Sequence, residues 1–195
     1  MFFSKIFVCA IALAAPSLAA LNTDQTAMTT RLTQMSNADY NTKTTYVDPL
    51  TPSLLASYGS QIMSALAATT NDLEFVRSKG ASGGPIATGM PTDASFITTS
   101  FSLWAGGHAS LMMSIKAKNV IFAGSTLPLV MVSILNAHVV GTTRVSDQLQ
   151  LMLPGSGYAS SRTGVVTQAN AACKAIKEAI VSLGGSATGG ANTCA

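Results

Sequence analysis

The chain has 195 residues, 48% of them hydrophobic and only 10% charged, with 11 Lys and Arg against 8 Asp and Glu. A net charge of +3, scattered along the sequence, excludes the dense basic face that nucleic-acid binding requires. The length suffices for one domain with a sizeable core, so the apolar residues must be buried well or used at a surface.

The first segment reads as a targeting signal. Lys5 precedes an apolar run from Ile6 to Ala15, Pro16 follows, and small residues stand at Ser17 and Ala19. This layout predicts a secretory signal peptide over residues 1–19, cut after Ala19, with Ala20 as the alternative. The apolar run is too short to span a bilayer comfortably. Cleavage would remove Lys5 and Cys9, leaving Cys173 and Cys194 as the remaining cysteines. In an oxidising compartment these two can pair, tying the small-residue tail 185–195 back onto the last helix.

Residues 23–38 read as the first helix, with Leu21, Met28, Leu32 and Met35 on one face. A linker with two prolines leads to Thr51-Pro52, a capping hydroxyl followed by a proline suited to the first helical turn. The second helix carries Leu55, Tyr58, Ile62, Leu66, Thr69, Leu73 and Val76, and is expected to stop at Lys79-Gly80. After the break "GASGGPIATGMPT", Thr92 or Asp93 is expected to cap the third. Its stripe is Ile97, Phe101, Trp104, His108, Leu111 and Ile115, continuing to Phe122 before Gly124. "STLP" makes a turn, and the fourth helix runs from Leu127 to about Met152 with Met131, Ile134, His138, Gly141, Val145 and Leu149 on its stripe. A fifth starts near Ser160 or Ser161, carries Val166, Ala169, Cys173, Ile176, Ile180 and Leu183, and ends at Gly184-Gly185. Nothing alternates as a run of strands. Five amphipathic helices joined mostly by short loops predict an all-α antiparallel bundle over residues 20–184.

Few residues suggest chemistry. Ser82 sits in a G-x-S-x-G pattern, with Asp93 and His108 following in hydrolase order. A nucleophile elbow needs a strand before the serine and a helix after it, whereas here a helix end precedes and Pro85 follows. A flexible loop is therefore favoured over a small secreted esterase. His108 and His138 both lie on apolar stripes. If the third and fourth helices fold back at 124–126, the two imidazoles come about one turn apart. No further ligand accompanies them, so neither a metal nor another cofactor is expected. In the same hairpin Gly106 and Gly107 would face Gly141, through close backbone approach or to leave room for a ligand. Met63, Met112, Met113, Met131 and Met152 suit an ordinary core or an adaptable lipid-facing wall.

Three stretches, "LMMSIKAKNVIFAG", "LPLVMVSILNAHVVGTTRVSDQLQLMLP" and "AACKAIKEAIVSLGG", resemble the fungal hydrophobic surface-binding protein A family, which includes the cell-wall galactomannoproteins. "IKAKNVIFAG", a lysine pair leading into a small-residue turn, is the most recognisable piece. The resemblance implies a secreted or cell-wall helical protein without enzymatic activity. Its partner would be a hydrophobic solid, with recruitment of a secreted hydrolase, or a fatty acid or other lipid held between helices. Cell-wall polysaccharide is a further candidate partner. For an interhelical cavity, Phe101, Trp104, Leu111, Met112, Ile115, Met131 and Ile134 would form the lining, and His108 and His138 would meet a carboxylate. The alternative is a structural cell-wall mannoprotein or antigen whose core is full.

Overall fold

The computed structural model describes residues 21–87 and 89–187. The expected signal peptide and Cys194 lie outside the described residues. Six helices pack together, with no strand among the described residues, so the all-α bundle expected from the sequence is what forms. They are α1 (Thr23–Thr42), α2 (Leu55–Gly83), α3 (Pro91–Ala117), α4 (Asn119–Ala123), α5 (Leu127–Met152) and α6 (Ala159–Ser182). A π-helical turn, Lys43–Val47, extends α1, and 3-10 turns at Pro52–Leu54 and Ser156–Tyr158 lead into α2 and α6.

Local chemistry explains the boundaries. Asn22 caps α1 reciprocally: its side chain accepts from the Gln25 N–H at 2.9 Å, while the Gln25 side chain accepts from the Asn22 N–H at 3.1 Å. Pro52 opens the turn before α2, as its position after Thr51 predicts. The expected stop at Gly80 is wrong, because α2 continues to Gly83. Gly80 is buried, and a Cβ there would lie 3.0 Å from Gln148 Cγ and 3.1 Å from Met152 Sδ. It serves close packing on α5, and Gly84, at φ 65°, ends the helix instead. The expected cap on α3 is also absent: Pro91 opens the helix, and Asp93 is buried within its first turn. The chain breaks at Lys118, so the third predicted helix is two, α3 and α4. At the end of α6, Gly184 (φ 82°) and Gly185 donate to Val181 and Ile180, both at 3.0 Å. That is a Schellman stop on the predicted glycine pair.

The long helices close into a ring. α1 packs on α2 and α3, α2 on α5, and α6 on both α5 and α3. Successive long helices run up and down. In the ring, however, α2 lies alongside a parallel α5: Leu127 meets Gly59, and the same register recurs further along at Leu73 with Gly141 and Gly80 with Gln148. α1 and α3 likewise run in the same sense, through Ser36 with Leu103 and Asp39 with His108. So do α3 and α6, through Lys116 with Glu178. α3 and α5 are therefore not the adjacent hairpin expected from their short connection. The connection places them on either side of α6, and their inward faces meet across the interior.

The core has two apolar halves. One holds Met28, Leu32, Leu73, Phe101, Trp104 and Leu149; the other holds Ile62, Leu66, Leu111, Met112, Met131 and Ile176. Between them, at mid-height, each of four helices contributes buried polar residues: Asp39 and Thr42 from α1, Thr69 from α2, His108 from α3, and His138 and Thr142 from α5. Among the described residues α5 is the one helix long and apolar enough to cross a membrane. Here its inward face, from Met131 through Leu149, forms core.

Candidate functional site

The polar layer is built from helical spacing. Trp104 and His108 are four residues apart on α3, and His138 and Thr142 four apart on α5, so each pair shares one face. The rings form a continuous column. Phe101 lies 5.6 Å from Trp104, Trp104 stacks on His108 at 5.4 Å, and His108 lies 5.1 Å from His138. The two predicted histidines do come together, across the bundle interior.

Each histidine has one partnered nitrogen. His108 Nδ1 is 3.0 Å from Asp39 Oδ2, and neither side chain is more than 4% exposed. With the Asp39 oxygen as acceptor, Nδ1 is the donor of this contact, and Nε2 is buried in the interior. His138 Nε2 donates to the Leu66 carbonyl at 2.8 Å. Burial, reinforced by the electrostatic influence of the neighbouring His108 and only partly offset by the Leu66 carbonyl, lowers the His138 pKa to about 3. At neutral pH His138 is therefore uncharged, with a lone pair at Nδ1.

Four buried polar atoms of this layer have no protein partner: Trp104 Nε1, His108 Nε2, His138 Nδ1 and Thr142 Oγ1. An unsatisfied buried polar group costs about 1–3 kcal/mol. Four together would consume much of the roughly 5–15 kcal/mol by which a domain is stable. The layer is a place where a hydrogen-bonding guest would be strongly stabilised.

This geometry revises the expected ligand contact. His138 presents a lone pair toward the interior, and His108 is already engaged by Asp39. Asp39 was missed from the sequence, where it is 69 residues from His108 and lies beyond the predicted end of the first helix. The expected lining residues Phe101, Trp104, Leu111, Met112, Ile115 and Met131 are buried to 1% exposure or less, and Ile134 packs at the edge of the lower half-core. The glycines do not face one another. A Cβ on Gly107 would sit 3.4 Å from Ser36 of α1, one on Gly141 would sit 2.8 Å from Leu73 of α2, and Gly106 faces open space. Gly141 borders a surface groove of about 320 Å³ between α2 and α5, flanked by Arg77 and Arg144.

The hydrolase residues are not assembled. The Ser82 hydroxyl donates to the Ser78 carbonyl at 3.1 Å within the last turn of α2, and His108 bonds to Asp39 rather than Asp93. Among the described residues no group of three His, Cys, Asp or Glu side chains is placed to hold a metal. Cys173 is buried and disulfide-bonded, and its expected partner Cys194 lies outside the described residues.

A second feature lies at the bundle end formed by α4, the start of α5 and the end of α6. Val120 is 82% exposed, Leu129 80%, Val181 64% and Val130 51%. The Asn119 side chain donates to the Ser182 carbonyl, holding α4 against α6. No formal charge occurs between Lys118 and Arg144. The stripe reading passed over these residues because they lie on the outward faces.

Comparison with protein-family models, curated proteins and solved structures finds no match.

Proposed function

We propose that this is a secreted, non-enzymatic protein that adsorbs to apolar material through the α4–α5 end of its bundle. The observation that carries the reading is the exposure of Val120 and Leu129 at four-fifths of their area, with Val130, on a segment without formal charge, and of Val181 near the end of α6. Scattered single apolar residues are ordinary on a protein surface; several at one end of a bundle suit contact with a hydrophobic solid or lipid. Removing such a side chain from water contributes about 1.5–3 kcal/mol. The N-terminal layout supports secretion, and the resemblance to the hydrophobic surface-binding family supports the same use of a helical bundle. The sealing of the expected lining residues in two packed half-cores favours this surface version over an interhelical fatty acid.

Depletion of the protein by polystyrene or polyester particles tests it. The wild type should adsorb, and the double variant Val120→Asp, Leu129→Asp should need at least about tenfold more particle surface for the same depletion. A double variant that keeps wild-type helicity and adsorbs as the wild type does would overturn the reading.

A further inference from the structure

We infer that the polar layer at the centre of the bundle is a binding site for a neutral hydroxyl group, held by Trp104, His138 and Thr142. The site stands independently of surface adsorption, which uses the opposite, exposed faces of the helices at one end.

Valence selects the guest. The Trp104 indole N–H can only donate, so it requires an acceptor. The His138 Nε2 proton is committed to the Leu66 carbonyl, which leaves Nδ1 as an acceptor in need of a donor. A hydroxyl group answers both kinds of demand, since it can accept from an indole and donate to an imidazole, and Thr142 can take either part. His108 Nε2 completes the set from the ring between Trp104 and His138.

Charge excludes the other guests. The Asp39 carboxyl group is already engaged with His108, so a carboxylate or phosphate would enter beside a second buried acidic group with no uncommitted cation in the layer. A cation would find a single imidazole lone pair, at His138 Nδ1, beside the indole donor, and no uncommitted carboxylate among the residues of the layer. Two sources offer the required chemistry: an internal water, which the packed half-cores on either side favour, and the head of an alcohol. Internal waters usually satisfy buried polar groups of this kind, each making about three hydrogen bonds.

Trp104 is the only tryptophan in the chain, so its indole N–H gives one resolved signal in a ¹⁵N-labelled sample. Rotating-frame Overhauser spectra should show a cross-peak from that proton to water. The cross-peak should persist in Thr142→Val, where no side-chain hydroxyl relays it; that result identifies water as the guest. A missing water cross-peak together with an indole shift on adding 1-dodecanol would identify an alcohol instead and also support the site. A shift with dodecanoate at pH 8 but not with 1-dodecanol would overturn the assignment to a neutral group. The absence of both a water cross-peak and any dodecanol response would overturn the site. Thermal unfolding provides a second reading. Thr142→Val should lower the midpoint, because it removes a partner of the guest; a midpoint equal to or above wild type would show that the hydroxyl bonds nothing and would count against the site.

Discussion

At the residue scale, the polar layer makes stability depend on pH in a defined direction. Above the ordinary histidine pKa of 6.5 neither the folded nor the unfolded His138 is protonated, and no penalty arises. Between 6.5 and about 3 only the unfolded ring takes up a proton, so stability falls as pH falls. At 1.36 kcal/mol per pH unit the loss reaches about 3 kcal/mol by pH 4. Urea midpoints at pH 7 and pH 4 should therefore differ more for the wild type than for His138→Gln, whose amide can still donate to Leu66. Equal slopes for the two proteins would show that His138 is not the titrating group. The glycines give a second contrast. Gly106→Ala, on an exposed helical face with nothing within 4 Å, should stabilise by about 0.5–1 kcal/mol. Gly141→Ala should destabilise by about 1–3 kcal/mol, because its methyl would meet Leu73 Cβ at 3.1 Å, an atom fixed to the α2 backbone. Chemical denaturation of both variants checks the pair. The histidines and Trp104 could be recognised from the sequence as inward-facing because three-four spacing fixes the face of a helix. Their partners could not: the contact between Asp39 and His108 is set by the α1–α3 seam, to which neither local sequence points.

At the element scale, local chemistry sets most helix starts, while long-range packing decides several ends. Pro52 and the Gly184-Gly185 stop were legible because proline and left-handed glycine act through their own backbone. The continuation of α2 past Gly80 was hidden because that glycine answers to Met152 and Gln148 on another helix. The start of α1 does two jobs. Asn22 caps its own helix and also donates to the Gly83 carbonyl at 2.7 Å, where the Gln25 side chain adds a second bond. Asn22→Ala should thus cost about 1–2 kcal/mol, the upper part of the range for an N-cap. Hydrogen exchange should show the loosening in the last turn of α2 as well as the first turn of α1. Protection lost only in α1 would mean that the link to Gly83 contributes nothing.

At the scale of the whole molecule, composition and periodicity were enough to indicate an all-α bundle, whereas the order of helices around the ring was not legible. Short connections suggested that chain neighbours are space neighbours, yet α3 and α5 both find their shared partner in α6. A five-membered ring cannot alternate direction at every seam, so at least one seam must be parallel, and amphipathic stripes carry no information about which. This ring order also fixes when the molecule can be completed during its synthesis. Until the last helix leaves the ribosome, the faces of α3 and α5 that it covers have no permanent partner, and the column from Phe101 to His138 stays within reach of water. A chain ending at Leu153 should show a red-shifted Trp104 emission and bind a hydrophobic dye, both reversing when a synthetic α6 peptide is added. The apolar centre of this protein is therefore a late product of translation, and any chaperone that attends it has its work between the emergence of α5 and the arrival of α6.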